Sequence, residues 1–308
     1  MRAIVLGAAA GGGLPQWNCG CGTCRLARSG ALPAASQSSL AVSADGRAWA
    51  VLNASPDIRG QLAATPALHP TGPRESPLGA VLLTNGNIDH VAGLLGLRER
   101  QGFTLFATRE ILDVLALNPI FDALDPRLVR RRAVALGERI ELVPGLAAEL
   151  FAVPGKVPLY LEGESVVTDL EGEQTVGVAL ESGAGRACYV PGCAAVTPAL
   201  AARLAGAPLV FFDGTLWRDD EMTLAGVGRR TGRRMGHLSI GGADGSIAAL
   251  AGLGIGRKIF VHMNNTNPVW RPDSPERAEA EAAGWEIAHD GMEIVLDESM
   301  GIDVGDVA

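Results

Sequence analysis

Asp89 and His90 follow a short apolar run, Gly79 to Leu83, and precede a helical pattern, Val91 to Leu97. A carboxylate and an imidazole at a strand exit, just ahead of a helix, is where an α/β protein holds a metal or a ligand. Two further apolar runs end in the same way: Ala207 to Phe212 in Asp213, and Lys258 to Val261 in His262. Two imidazoles and one or two carboxylates make a usable divalent-metal set. With positions left open, two His and one carboxylate suit non-haem Fe(II) and O₂ chemistry. The same mixture would hold Zn²⁺ or Mn²⁺ for hydrolysis. Cys19, Cys21 and Cys24 place three thiols within six residues. They form a claw for Zn²⁺, which takes four ligands and so needs one more from elsewhere. Arg229, Arg230, Arg233 and Arg234 crowd the segment before His237. They are either a solvated loop or a clamp for carboxylates, which guanidinium forks fit well.

These residues need a scaffold that gathers strand ends. Arg2 to Leu6 reads as a first strand, and Gly7 to Gly13 as a loop of small residues able to approach a ligand closely. Ser38 to Ser43 and Arg47 to Asn53 read as a hairpin turning at Asp45-Gly46. Ser55 before Pro56 predicts the N-cap of a short helix, Ile58 to Leu62. Asp57 either favours that helix N-terminus or faces the site. Phe103 to Ala107 predicts a strand and Arg109 to Leu117 an amphipathic helix. Arg127 and Arg130 to Arg132 read as a solvated basic face. Ile140–Val143, Ala148–Val153, Thr175–Leu180 and Gly185–Val190 predict strands of a second sheet. Thr197-Pro198 caps a helix through Leu204, and Met292 to Leu296 predicts a final strand. Cys188 and Cys193 read as core or loop thiols, and His69 and His289 as exposed.

Composition narrows the function. The chain has 308 residues, is 47% hydrophobic and carries a formal net charge of −8. That charge argues against nucleic acid or an anionic membrane surface as the main partner. No apolar run reaches the roughly 18 residues of a spanning helix, so no membrane insertion is expected. The N-terminus is too short and glycine-rich for a signal peptide, which points to the cytoplasm. Five Cys is an odd number, and in a reducing compartment the crowded three favour metal over disulfides. No linker or composition shift divides the chain, so a single domain over 1–308 is expected, with the Cys loop at about 15–25.

Several long motifs now carry a resemblance. Thr84-Asn85-Gly86-Asn87-Ile88-Asp89-His90 aligns with the Thr-His-x-His-x-Asp-His signature of the metallo-β-lactamase superfamily. Asp213 matches its bridging Asp, and His262 its C-terminal His. Within that superfamily the chain resembles the pyrroloquinoline quinone (PQQ) biosynthesis B family over nearly its whole length. The resemblance rests on the segment from Gly7 through Cys24, Asn53 to Arg59, Ile88-Asp89-His90, Arg230 to His237 and His262 to Pro268. It implies an α/β fold, a four-layer αββα sandwich, and a role in PQQ biosynthesis on a small Glu–Tyr-derived precursor, beside other proteins of that pathway.

Asn85 and Asn87 stand where the superfamily has two metal-binding His, and its third His would fall near Pro154-Gly155-Lys156. One metal subsite therefore reads as dismantled and the other, Asp89, His90, Asp213 and His262, as intact. A single ion is expected, Fe²⁺ favoured, with Zn²⁺, Mn²⁺, Cu²⁺ and Mg²⁺ as alternatives. Asp89 and Asp213 are catalytic candidates as well as ligands. His237 is expected to act as an acid/base or a substrate contact, and the four Arg to bind the precursor's carboxylates. Asn85 and Asn87 are expected to shape the vacated pocket. Related phosphodiesterases hold a structural zinc through Cys-x-Cys-x-x-Cys and a His. The position of that His is Asn265 here, which becomes the candidate fourth ligand beside Cys19, Cys21 and Cys24. An oxidising step is the favoured reading. A carrier for PQQ or its precursor and a metallo-hydrolase are the alternatives.

Overall fold

The computed structural model describes residues 1–297, so 298–308 of the expected domain lie outside the described residues. The strands are β1 (Arg2–Gly7), β2 (Ser39–Ser43), β3 (Trp49–Leu52), β4 (Leu78–Leu82), β5 (Phe103–Ala107), β6 (Val129–Ala133), β7 (Arg139–Val143), β8 (Leu146–Ala152), β9 (Val176–Ser182), β10 (Gly185–Val190), β11 (Leu209–Asp213), β12 (Arg257–Val261), β13 (Trp285–Ile287) and β14 (Glu293–Val295). They form two seven-stranded sheets, ordered β14-β1-β2-β3-β4-β5-β6 and β13-β12-β11-β10-β9-β8-β7. The helices are α1 (Gly22–Arg28), α2 (Ile58–Ala64), α3 (Ile88–Val91), α4 (Arg109–Ala116), α5 (Pro198–Leu204), α6 (Glu221–Leu224), α7 (Gly232–Met235), α8 (Ser246–Leu250) and α9 (Pro275–Ala282).

The period-two alternation of the strands builds the layers. In β3, Ala50 and Leu52 join a core with Leu150, Val178 and Tyr189 of the other sheet. Trp49 and Val51 point the other way, into a core with Ile58 of α2 and Ile111 and Leu115 of α4. A strand buried on both faces must read as a continuous apolar run, as this one does. On the second sheet, Phe260 stacks on Trp285 at 3.8 Å between centroids, and α5 buries Leu200 and Leu204. Helices thus flank two facing sheets, the expected αββα sandwich. No helix among the described residues is long and apolar enough to cross a membrane.

Two local expectations need correction. The N-cap of α2 is Asp57, not Ser55; the Ser55 hydroxyl instead donates to Gln61 Oε1 at 3.0 Å. The Asp57 carboxylate accepts from the Gln37 backbone N–H and side chain at 2.9 and 3.0 Å, so it faces away from the metal residues. Arg130 to Arg132 belong to β6, the edge strand of its sheet. Charge on an edge strand discourages further pairing. Arg132 pairs with Glu138 at 2.9 Å and lies over the Phe106 ring. The hairpin is as expected: β2 pairs β3 antiparallel, and Asp45 Oδ1 accepts from the N–H of Arg47.

The sandwich delivers the site through the loops that follow β4, β11 and β12. β11 and β12 run parallel, so their C-terminal ends emerge side by side. Beyond β12 the chain enters the Asn-rich loop, which is fixed from within. Asn267 Nδ2 donates to the Gly214 carbonyl at 2.8 Å, and Trp270 Nε1 to that of Asn264 at 2.8 Å. The Thr266 hydroxyl donates to Glu221 Oε1 at 2.5 Å, and the Trp217 N–H to Oε2 at 2.7 Å. Burial outweighs these bonds and pushes the Glu221 carboxyl up from 4.5 to about 7. The folded protein therefore keeps this proton between those values, where the unfolded chain has released it. Stability from this group is complete below about pH 4.5 and declines as pH rises to about 7. Glu221→Gln should match the parent protein in denaturant melts at pH 5 and exceed it at pH 8 by up to about 3 kcal/mol. Equal stability at pH 8 would show that Glu221 is ionised at little cost.

Candidate metal centre

Three chain segments meet at one edge of the sandwich. The first is the loop from β4 into α3. Thr84 is locked to Asn53 by reciprocal bonds: the Thr84 N–H donates to Asn53 Oδ1, and Asn53 Nδ2 to Thr84 Oγ1, each at 2.9 Å. Asn85 turns back and accepts the Asn87 N–H at 2.9 Å, which starts α3 and presents Asp89 and His90. The second is the end of β11, where Asp213 is fully buried. The third is His262, which ends β12 with φ of 59°, a left-handed conformation uncommon outside glycine. The Thr215 hydroxyl holds it there, 2.8 Å from His262 Nδ1 and 3.0 Å from its carbonyl.

The side chains divide into two interlocked groups. His262 Nε2 lies 3.1 Å from Asp89 Oδ2, and His90 Nε2 lies 3.8 Å from the same oxygen. The ligand atoms of Asp89, His90 and His262 all fall within 4.8 Å of one another, as do those of Asp213, His237 and His262. Asp213, however, has four bonds within the protein. Oδ1 accepts from the Thr215 N–H and hydroxyl at 3.0 and 2.6 Å. Oδ2 accepts from the Cys193 N–H at 2.8 Å and from His237 Nδ1 at 2.6 Å. A carboxylate offers about four lone-pair positions; these bonds take them all, and one of them fixes His237.

Electrostatics prepares the first group for a cation. Burial pushes His90 down to about 4, so its ring is neutral at neutral pH, the form that ligates. Burial opposes ionisation of Asp89, but His90 and His262 outweigh it and hold the carboxyl well below its usual range. Burial also lowers His262, and the Asp89 hydrogen bond more than restores it, leaving it above its ordinary value. Most telling is His90 itself. It is 1% exposed, and neither ring nitrogen has a hydrogen-bond partner among the described residues. Such a group costs about 1–3 kcal/mol unless something binds it. A divalent cation between Asp89, His90 and His262 meets that need. The Thr215 hydroxyl on His262 Nδ1 supplies the supporting bond that metal-bound imidazoles usually make.

A cavity of about 310 Å³ opens beside these residues, lined among others by Asn87, Asp89, Lys156, Arg230, Arg234, His237 and His262. The glycine loop reaches it as expected: a methyl group on Gly11 would stand 3.4 Å from Asp89 Oδ2. Of the four Arg, Arg230 and Arg234 line the cavity, whereas Arg229 and Arg233 are exposed and outside its lining. Asn85 is buried in its turn and does not line it. Thr215 and Lys156 had no role assigned from sequence. Thr215 stood in view two residues after Asp213, and Lys156 in the segment where the third His is missing.

The thiol claw forms separately. Cys21 caps α1, its sulfur accepting the Cys24 N–H at 3.5 Å. The three sulfurs lie within 4.8 Å of one another. The Asn265 amide sits among them, with Nδ2 at 3.2, 3.6 and 3.3 Å from Cys19, Cys21 and Cys24. Amide nitrogen and oxygen are assigned by their partners, and the opposite rotamer puts Oδ1 where a fourth ligand belongs.

Comparison with known proteins agrees with this picture. A family model described as "Beta-lactamase superfamily domain" matches residues 48–263. The coenzyme PQQ synthesis protein B of Ruegeria pomeroyi is 60% identical over 296 residues, covering 96% of this chain and all of the relative. The crystal structure of Zn²⁺-bound PqqB from Methylobacterium extorquens superposes with a TM-score of 0.95 at 55% identity, over 96% of this chain and 100% of that one. A diphosphatase of the PhnP family shares the fold at a TM-score of 0.65 and 21% identity, over 96% of this chain and 97% of that one. The chain therefore belongs to the coenzyme PQQ synthesis protein B family, within the β-lactamase superfamily.

Proposed function

We propose that this protein acts in PQQ biosynthesis, in the cytoplasm, by oxidising a small Glu–Tyr-derived precursor at a single metal-binding site. The observation that carries this reading is the combination of an unpartnered, buried His90 with the loss of the neighbouring subsite. Asp89, His90 and His262 are the ligands we assign. Three protein ligands leave positions open, and an ion such as Fe(II) held there would supply O₂ activation for ring hydroxylation, in which one oxygen atom enters the ring and the other leaves as water with two electrons from an external reductant. Hydrolysis with two ions, by contrast, would need a second set of ligands. Asn85 is engaged in its own turn, and Asn87 offers only a neutral amide, a weak ligand beside imidazole, so the pair does not restore one.

The remaining residues bind and orient. Asp213 holds His237 by its Nδ1–H, leaving Nε2 free to take the phenolic proton of a substrate in the cavity. Thr215 fixes His262 and approaches His237 Nδ1 at 3.1 Å, so acid/base group and ligand keep one geometry. Asn87 borders the pocket on the side of the lost subsite. The claw of Cys19, Cys21 and Cys24, completed by Asn265, is assigned a structural Zn²⁺ that ties the N-terminal loop to the loop after β12.

Protein loaded anaerobically with Fe²⁺ and then given O₂, a two-electron reductant and the precursor should consume O₂ and add one oxygen atom to the ring. Tight binding of PQQ or precursor without O₂ consumption would instead establish a carrier, and release of an acid from an ester or amide a hydrolase. His262→Ala should lose the active-site metal and keep the claw metal in elemental analysis; joint loss would mean the ligands are wrongly grouped. Cys21→Ser should lower the melting temperature markedly, because structural zinc contributes directly to folding. An unchanged melting temperature would remove the structural role.

A further inference from the structure

The wall of the cavity opposite in charge to Asp89 has a fixed architecture of its own. Lys156 Nζ lies 2.7 Å from Glu162 Oε1, and Arg234 donates to the same carboxylate through both terminal nitrogens, at 3.2 and 2.7 Å. The side chains of Lys156 and Glu162 are only 11% and 8% exposed. Arg234 is 41% exposed, so the cluster is open to water on that side and its bidentate geometry holds it together. Hydrogen bonds from Arg234 and Lys156 hold the Glu162 carboxyl down at about 2, so it stays ionised through the working range.

The cluster is also clamped mechanically. Gly236 ends α7 with φ of 82°, and a methyl group there would meet Lys156 Cγ at 3.2 Å. The chain that carries Arg234 and His237 therefore lies directly across the Lys156 stem. Tyr160, between Lys156 and Glu162, anchors its segment by donating to the Gly86 carbonyl at 2.6 Å.

Two cations share one carboxylate, so the cluster keeps a net charge of +1 (Lys156 +1, Arg234 +1, Glu162 −1). Lys156 has three N–H donors and two acceptors recorded, Glu162 and the Val157 carbonyl. A guanidinium has five donors, of which Glu162 takes two. Donors and charge both remain, and both cationic residues line the cavity that holds Asp89, His237 and His262.

We propose that Lys156 and Arg234, kept in register by Glu162, form the seat for a carboxylate of the substrate. The inference rests on the proposed function and sharpens it. The substrate is a phenol bearing a carboxylate, which sits on Lys156 and Arg234 while the ring faces His237 and the metal ligands. Arg234 and His237 stand three residues apart on one segment, so anion seat and acid/base group are set at a fixed spacing. Of the Arg run, Arg230 also lines the cavity, but Arg234 is the one that shares the Glu162 carboxylate with Lys156; Glu162 is a positioning residue.

Zinc-loaded full-length protein, which is redox-inert, is titrated calorimetrically with 3-(4-hydroxyphenyl)propanoate, with 4-propylphenol and with glutarate. The carboxylate-bearing phenol should bind tighter than the neutral one by about tenfold or more, as a charge-assisted pair requires. Lys156→Gln and Arg234→Gln should each remove most of that difference, and Arg234→Lys should restore part of it. Glu162→Gln should weaken binding of the carboxylate ligand. Each variant keeps its metal content and melting transition checked alongside. Equal binding of both phenols, or a preference that survives both Gln substitutions, overturns the seat and leaves the ring-binding site standing. Tighter carboxylate binding in Glu162→Gln overturns it too, since Glu162 would then compete with the ligand. Binding of glutarate through Lys156 and Arg234, with no binding of either phenol, upholds the seat and overturns the aromatic substrate. No binding of any of the three overturns the seat.

Discussion

The contact between His262 Nε2 and Asp89 Oδ2, 3.1 Å long, joins residues 173 positions apart. Asp89 is presented by the first sheet through α3, and His262 by the second through the end of β12. The Asp89–His262 pair is therefore a clasp between the sheets at the edge of the sandwich, closed here by a hydrogen bond and, in the proposed metal-bound site, by the ion that would take its place. The residues around it keep this pair in place at the cavity wall. The glycine loop passes close to Asp89, where a methyl group on Gly11 would just touch the carboxylate. Thr215 must hold His262 in a left-handed conformation that costs on the order of 1–3 kcal/mol where nothing supports it. His90 stands beside the clasp, buried, with neither ring nitrogen hydrogen-bonded, so one is available to a ligand.

In the proposed reading one metal subsite is lost and the pocket is kept. Asn85 has become a turn residue, tying its side chain to the Asn87 backbone. The space it no longer serves is bordered by Asn87 and Lys156. A second divalent ion would have brought positive charge to that wall. Lys156 brings a fixed positive charge instead, balanced in part by Glu162 and reinforced by Arg234. An ammonium cannot activate water, but it can orient an anion, which moves the wall's task from catalysis to recognition.

How much of this was legible in the sequence depended on how local each cause is. The layers came through because β3, β4, β11 and β12 are short apolar runs with turn signals at their ends. The site residues came through because three such runs end in Asp or His. β6 did not, because an edge strand of arginines has the composition of a solvated loop. The N-cap of α2 shifted from Ser55 to Asp57 because the Ser55 hydroxyl has a partner in Gln61, six residues on. α9 and β13 were not anticipated, since neither carries a strong apolar period. The Lys156–Glu162–Arg234 cluster was beyond reach, because Glu162 and Arg234 are 72 residues apart and only the fold brings them together. The engagement of Asp213 was hidden for the same reason: its partners Cys193 and His237 lie 20 and 24 residues away.

The loop after β12 serves both candidate metal centres. His262 belongs to one, and Asn265, three residues on, sits among the sulfurs of the other. Between them the chain is held to β1's exit, with the Ala10 N–H donating to the Met263 carbonyl at 2.8 Å and the Met263 N–H to that of Ala8 at 3.0 Å. Glu221 and Asn267 fix the loop from the other side. A segment this short, bonded on both flanks, has little freedom to absorb a shift at one end without passing it to the other. The claw does not line the cavity beside the proposed metal ligands, yet Asn265 among its sulfurs and His262 at that cavity belong to one anchored loop.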